Sequence, residues 1–183
     1  DNSTDKTVDV INSLIKEYDN VSLVKSTERK GLGWAYIQGV NKSNSKYLLF
    51  LDADMSIDGK SFSKMINLRN LNNFIIGSRY LKDSKINYPS NIKVILSKYL
   101  NKLISKMYNL KISDAGHSFR IFPKIDIGKI EIYTHPGFFW SLSIYCKSLN
   151  LNALEVPVEF TDRVYGKTKN KYMSLLKSIL LFF

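Results

Sequence analysis

Two aspartates, Asp52 and Asp54, stand two residues apart directly after a continuous apolar run at positions 47–51. If that run is a buried strand, both carboxylates can reach one hard cation from the same side. Mg²⁺ and Mn²⁺ prefer such oxygen ligands and commonly bridge to substrate phosphates. A competing interpretation is that Asp54 or Ser56 caps the helix that follows. The position behind a predicted buried strand favours a cation site.

Strand-like and helix-like segments alternate along the chain, which predicts an α/β fold with a central, mostly parallel mixed sheet flanked by helices. The predicted strands cover residues 21–26, 47–51, 74–78 and 154–160, and the predicted helices cover residues 8–15, 34–44, 61–71, 91–108, 138–149 and 172 onward. Ligands of parallel sheets bind beyond the carboxyl ends of the strands. Asp52 and Asp54 follow one predicted strand, Arg79 follows another, and Asp1 would follow a strand further upstream.

The 183 residues are enough for one domain with a substantial core, and we treat residues 1–183 as a single domain. The formal net charge of +11 favours an anionic partner, although a solvated lysine-rich surface explains it equally well. Cys146 has no second cysteine to pair with, and we expect it to be a buried apolar residue. His117 and His135 are expected to be ordinary hydrogen-bonding and loop residues, since neither has companions at zinc-binding spacing.

Several motifs occur in an order that resembles family 2 glycosyltransferases. They are ERKGLGWAYIQG (28–39), DADMS (52–56) and GSRY (77–80). Two further motifs resemble the polyprenyl-phosphate sugar transferases within that family, the group that contains dolichyl-phosphate mannose synthase. They are DAGHSFR (114–120) and EVPVEFTDRVYGKTK (155–169). Together the motifs span nearly the whole chain.

The resemblance implies a nucleotide-sugar-binding glycosyltransferase A-type fold, here expected to lack its first strand because Asp1 to Asp5 resemble the end of the first motif. It also implies that Asp52 and Asp54 hold Mg²⁺ or Mn²⁺ on the donor diphosphate. The residues expected to bind the nucleotide sugar are Asp1, Asp5, Arg29, Lys30, Gly33, Asp52 and Asp54.

The family's acceptor is a lipid phosphate, already anionic near neutral pH, so it can attack without a strong general base. Arginine geometry matches phosphate well. The residues expected to bind the acceptor phosphate are Arg79, Arg120, Arg163, Lys167 and Lys169, and those expected to be catalytic are Asp54, Arg79, Asp114, Arg120 and Arg163. Asp114 is expected to orient the cationic groups or the sugar, with a buried ion pair to Arg120 as an equal alternative. The implied reaction is a single displacement that inverts the anomeric centre.

Three functions are compatible with these motifs. The first is transfer of mannose from GDP-mannose to dolichyl or another polyprenyl phosphate, and the second is the same transfer of glucose from UDP-glucose. The third is a non-catalytic nucleotide-sugar-fold subunit, which stays open because Ser56 and Leu142 stand where the family often has a further ligand and a glutamate. A nucleic-acid partner is not expected, because the basic residues fall in phosphate motifs rather than along one exposed helix.

A lipid acceptor requires access to a bilayer, so we expect the protein at the cytoplasmic face of a membrane. The basic stretch 163–171 and the apolar segment after it predict a membrane-interface helix within residues 169–183. Ordinary core packing, or the start of a membrane span, are the alternatives for that segment. The abrupt ends suggest a chain truncated on both sides, whose anchor is a missing transmembrane segment or a partner subunit.

Overall fold

The computed structural model describes residues 3, 5–26, 28, 30–54, 56–87, 91–161 and 172–182. The helices are α1 (Thr7–Glu17), α2 (Leu32–Lys42), α3 (Gly59–Asn67), α4 (Asn91–Met107), α5 (Gly137–Ser148) and α6 (Tyr172–Phe182). The strands are β1 (Tyr47–Phe50), β2 (Asn73–Ser78), β3 (Lys85–Asn87), β4 (Arg120–Pro123), β5 (Asn152–Pro157) and β6 (Glu159–Thr161).

Among the described residues, the central sheet has four strands in the order β1-β4-β2-β5. β2 and β5 are parallel, whereas β4 runs antiparallel to both of its neighbours. β1, β2 and β5 therefore point in the same direction and only β4 is reversed, which confirms the predicted mostly parallel mixed sheet. Phe50 and Ile76 both lie opposite Arg120, so β1 and β2 end at the edge where β4 begins.

Helices cover both faces of this sheet. Side chains alternate between the two faces of a strand, so Phe74 and Ile76 pack into one cluster and Ile75 into another. The first cluster is closed mainly by apolar residues of α2, α4 and α5, and the second by α3 through Met65. The continuous apolar run of β2 is thus explained by burial on both sides. β1 lies at the edge of the described sheet and is buried on one side only, since Leu48 and Phe50 are buried whereas Leu49 is 36% exposed.

Three features of the sheet differ from the prediction. Residues 21–26, predicted to form a strand, have no regular secondary structure and pair with none of the described strands. The predicted strand 154–160 is two strands, because β5 ends at Pro157, which has no backbone N–H to continue a ladder. β6 then pairs with β3 in a separate two-stranded sheet.

The apolar segment at the end of the chain is helical, as predicted. Leu175 and Ile179 of α6 pack against the large core cluster, which is what the core-packing alternative requires. Leu176, Leu180 and Leu181 on the same helix are exposed. In the described part of the chain, none of the helices has the length and apolar character needed to cross a membrane.

Candidate active site

The paired aspartates follow β1, at the edge of the sheet where β4 begins. Asp52 Oδ1 accepts a hydrogen bond from Tyr36 Oη at 3.0 Å, and Asp52 Oδ2 accepts one from Ser118 Oγ at 2.7 Å. Asp54 Oδ1 accepts from the backbone N–H of Ser56 at 3.2 Å, which closes a local turn. Both aspartates are partly exposed, so their carboxylates are accessible to a ligand.

The helix-capping alternative for these residues is wrong. The N-cap of α3 is Asp58, whose side chain accepts from the backbone N–H groups of Lys60 and Ser61, each at 2.9 Å. Asp54 and Ser56 are therefore not needed to begin that helix. Those Asp58 contacts hold the pKa of its carboxyl below the ordinary value, although burial works in the opposite direction.

The two aspartates offer a donor set that fits a divalent cation shared with a substrate. Mg²⁺ is usually held by one or two carboxylates together with waters and substrate phosphates, so a third protein ligand is not required. No cluster of three or more metal-ligating side chains occurs among the residues described. Ser56, which stands where the family often has a further ligand, is buried.

Arg79 follows β2 and is held by Asp114. Arg79 Nε and Nη2 donate to the two carboxylate oxygens of Asp114 at 2.7 and 2.8 Å, and the backbone N–H of Arg79 adds a third bond at 3.1 Å. The guanidinium also lies 5.1 Å from the ring of Tyr80 and 5.6 Å from that of Phe160. Its side chain remains 18% exposed, so an anion can reach it.

Asp114 is fully buried, and its partners determine its ionisation. Burial alone would raise the pKa of its carboxyl, but the charge and hydrogen bonds of Arg79 outweigh burial and hold that pKa below its usual value. The predicted alternative partner, Arg120, does not form an ion pair with Asp114. The ion pair is with Arg79.

Glu155 fixes the backbone around Asp114, a role that sequence reasoning missed. Its carboxylate accepts from Ser113 N at 2.8 Å, from Ser113 Oγ at 2.7 Å and from Asp114 N at 3.1 Å. The signal was the alternation of apolar and acidic residues in the predicted strand 154–160, in which Glu155 has apolar neighbours on both sides. A charged residue there needs buried partners.

Arg120 lies in the core, which corrects the predicted phosphate contact. Only 1% of the residue is exposed, and its guanidinium donates to the carbonyl oxygens of Ala115, His117 and Phe139 and to Ser143 Oγ. Burial lowers the pKa of Arg120 to about 10. With its donors committed to backbone oxygens, Arg120 stabilises the region before β4 and does not face an acceptor.

Gly33 is also explained by packing. A Cβ on Gly33 would lie 2.5 Å from the ring of Phe138, and its N–H donates to the carbonyl oxygen of Tyr133 at 3.0 Å. The close approach that a glycine permits is therefore made to α5 and the residues before it. The nucleotide-binding role expected of Gly33 stays a prediction.

The structure also describes two other residues predicted to bind the donor, Asp5 and Lys30. Asp5 accepts from the backbone N–H of Thr7 at 3.0 Å, at the start of α1. Lys30 pairs with Glu28 at 3.1 Å and lies over the ring of Trp34. Five predicted site residues lie outside the described residues: Asp1, Arg29, Arg163, Lys167 and Lys169.

His117 and His135 lie within the electrostatic influence of Arg79, Asp52 and Asp114, which the sequence did not indicate. Burial lowers the pKa of His117 to about 4, and the positive charge of Arg79 adds to the effect. The pKa of His135, which is partly buried, lies below its ordinary value for the same two reasons. Both also feel the opposing charges of Asp52 and Asp114. His117 Nδ1 is hydrogen-bonded to the carbonyl oxygen of Gly77. Both histidines are therefore neutral near pH 7.

Leu142 is fully buried among the apolar residues of α5, where a charged side chain without a partner would cost folding free energy. Trp140 and Cys146 lie in the same core cluster. The predicted burial of Cys146 is confirmed, and burial raises the pKa of its thiol to about 12.

Known proteins share this sequence pattern. The chain is 28% identical to dolichol-phosphate mannosyltransferase of Pyrococcus furiosus over 93% of its length, and 26% identical to polyprenol monophosphomannose synthase of Mycolicibacterium smegmatis over 82%. It is 27% identical to undecaprenyl-phosphate mannosyltransferase of Micrococcus luteus over 92%. The chain spans 49%, 60% and 72% of these three relatives.

Solved structures share the fold. One is glucosyl-3-phosphoglycerate synthase from Mycobacterium tuberculosis in complex with UDP, with a TM-score of 0.59 and 13% identity over 98% of this chain and 65% of that one. A crystal structure of a mycobacterial protein gives a TM-score of 0.60 and 11% identity, covering 98% of this chain and 61% of the other. The predicted glycosyltransferase A-type fold is thereby confirmed. Residues 1–130 match the family described as Glycosyl transferase family 2, and the chain belongs to that family.

Proposed function

We propose that this chain is the catalytic part of an enzyme that transfers mannose from GDP-mannose to a polyprenyl phosphate. The observation that carries the proposal is the placement of Asp52 and Asp54 after β1 and of Arg79 after β2. These strands run in the same direction on either side of β4. A carboxylate pair suited to a cation and an arginine suited to a phosphate therefore lie at the same edge of the sheet. The relatives named as polyprenyl-phosphate mannosyltransferases support this choice of donor sugar and acceptor.

In the proposed reaction, Asp52 and Asp54 would hold Mg²⁺ or Mn²⁺, which would supply positive charge to stabilise the departing diphosphate of the donor. Arg79, fixed by Asp114, binds the acceptor phosphate and brings it against the sugar. A phosphate oxygen forms the new bond to the anomeric carbon while the bond to the nucleoside diphosphate breaks, so the configuration inverts. The acceptor oxygen is already anionic, which explains why the site needs no general base. His117 and His135 are neutral near pH 7, so they contribute no positive charge to the binding of either phosphate.

The outer face of α4 supports access to a lipid acceptor. Ile92, Ile95 and Tyr99 recur at helical spacing and are 79%, 67% and 65% exposed. Lysines interleave with them along the helix at positions 93, 98, 102 and 106. An exposed apolar stripe with flanking cations is typical of a helix that lies on an anionic membrane surface. We propose that this face rests on the cytoplasmic leaflet, next to the acceptor.

The test is sugar transfer by the protein with Mn²⁺, a polyprenyl phosphate and labelled GDP-mannose or UDP-glucose in parallel. Lipid-linked mannose should form, EDTA should stop its formation, and Asp54→Ala should abolish it. Asp19→Ala, which removes an exposed aspartate in a turn after α1, should leave the rate unchanged. Transfer from UDP-glucose alone would identify a glucosyltransferase. Tight nucleotide-sugar binding without transfer would favour the non-catalytic subunit, and activity that ignores EDTA would refute the metal role.

A further inference from the structure

The Asp52 carboxylate accepts hydrogen bonds from two hydroxyl groups, one on each of its oxygens. Tyr36 of α2 donates to one carboxylate oxygen, at 3.0 Å, and Ser118, just before β4, donates to the other at 2.7 Å. The two donors are far apart in sequence and belong to different elements. Their convergence on one carboxylate restrains its rotation about the bond to Cβ.

The Tyr36 hydroxyl is held rigidly by aromatic packing. Its ring stacks on that of Phe50 with centroids 4.2 Å apart and planes 29° apart, and it also contacts the rings of Phe138 and Phe139. The Tyr36 hydroxyl is the donor of the hydrogen bond to Asp52 Oδ1, because a carboxylate oxygen can only accept.

The position of Ser118 is fixed by hydrogen bonds that its two neighbours, His117 and Phe119, form with Gly77. His117 Nδ1 is hydrogen-bonded to the carbonyl oxygen of Gly77, and the carbonyl oxygen of Phe119 accepts from the Gly77 N–H at 2.9 Å. Ser118 itself is 6% exposed. Its hydroxyl thus approaches Asp52 from a segment anchored to β2.

We propose that Tyr36 and Ser118 are positioning residues that set the Asp52 carboxylate in the orientation required to bind the donor's cation. A carboxylate oxygen has two lone pairs, so each oxygen of Asp52 can accept its hydroxyl and still offer a lone pair to a cation. Outer partners of metal ligands typically change metal affinity about 10- to 100-fold when they are removed. This inference rests on the proposed metal role of Asp52 and extends it to two residues that do not touch the cation.

The test is Mn²⁺ affinity, measured by electron paramagnetic resonance of the free ion with the protein and GDP. Tyr36→Phe removes one hydroxyl and keeps the ring, and Ser118→Ala removes the other. Each should weaken Mn²⁺ binding by about 10-fold, while the thermal midpoint stays close to that of the wild type. Ser118→Thr, which restores a hydroxyl, should recover most of the affinity. The matched controls are Tyr18→Phe and Ser148→Ala, which remove exposed hydroxyls elsewhere and should change nothing.

The outcomes separate this inference from the proposed function. Tyr36→Phe and Ser118→Ala proteins that bind Mn²⁺ as tightly as the wild type would overturn the positioning role. A wild-type protein that binds no Mn²⁺ would overturn it as well, and lipid-linked mannose formed in the same sample would leave sugar transfer intact. Weakened Mn²⁺ binding in both variants would support the positioning role even if the wild type transferred no sugar.

Discussion

Arg79 and Asp114 form a two-pronged ion pair, with Arg79 Nε and Nη2 at 2.7 and 2.8 Å from the two Asp114 oxygens. The carboxylate is fully buried, whereas the arginine reaches solvent. Glu155 in turn holds the Asp114 backbone through the N–H groups of Ser113 and Asp114. A chain of contacts from β5 thus sets the direction of Arg79 before any phosphate arrives. Preorganisation of this kind is what a charged transition state requires.

Asp114→Asn should therefore impair acceptor binding. The variant removes the charge that fixes Arg79, so we expect the KM for polyprenyl phosphate to rise about 10-fold or more, with little change in the KM for the donor. Removing one partner of a buried ion pair also costs about 3–5 kcal/mol of folding free energy. Steady-state kinetics and urea unfolding measure the two effects. The control is Asp126→Asn, at an exposed aspartate that accepts only from the Gly128 N–H among its described contacts. An unchanged acceptor KM would contradict the role assigned to Asp114.

Arg120 should prove to be a stability residue. Arg120→Lys keeps the charge but cannot reach several carbonyl oxygens at once, because an ammonium lacks the planar fork of a guanidinium. Buried carbonyls left without donors cost about 1–3 kcal/mol each, so we expect a loss of at least 2 kcal/mol in urea unfolding. Arg69→Lys, at an exposed arginine that donates to the carbonyl oxygen of Ile66, should cost far less. An Arg120→Lys protein of normal stability that has lost acceptor binding would restore the phosphate role.

The difference between these two arginines shows what the sequence could and could not reveal. The positions of Asp52 and Arg79 were predictable because each follows a continuous apolar run that forms a strand, although only β2 is buried on both faces. Arg120 also begins a strand, but no pattern predicted a strand over β4, and its own sequence gives no sign that it lies between β1 and β2. Burial of an arginine depends on carbonyls supplied by distant segments. The contacts of Glu155 and Tyr36 could not be predicted either, because their partners also belong to segments distant in sequence.

The α4 stripe should govern binding to lipid surfaces. Ile95→Gln removes an exposed apolar side chain, whose full burial is worth about 1.5–3 kcal/mol. We therefore expect the partition coefficient onto phosphatidylglycerol vesicles to fall about 10-fold in co-sedimentation, without loss of stability. The matched control is Val10→Gln on α1, where the side chain is also well exposed. Raising the salt concentration should weaken the binding of all three proteins, because the lysines of α4 contribute by charge. Equal partitioning of the two variants would contradict the assignment of this face.

His117 should make the folded state sensitive to mild acid. Its folded-state pKa is about 4, whereas an unfolded histidine titrates near 6.5, so between these values the unfolded chain binds more protons. The contribution of neutral His117 to the free energy of unfolding is complete above pH 6.5 and is lost as the pH falls toward 4. This contribution is about 3 kcal/mol at most.

His117→Asn supplies the comparison that isolates this effect, because asparagine can still donate to the carbonyl oxygen of Gly77 but does not titrate. The free energy of unfolding in urea, measured from pH 7.5 to 4.5, should decline more steeply for the wild type than for the variant. His135 and Asp114 remain in both proteins, so their own pH dependence cancels from the difference as long as Arg79 stays in place. Parallel curves would show that His117 takes up a proton at the same pH in the folded and unfolded chains, and would contradict its burial in neutral form.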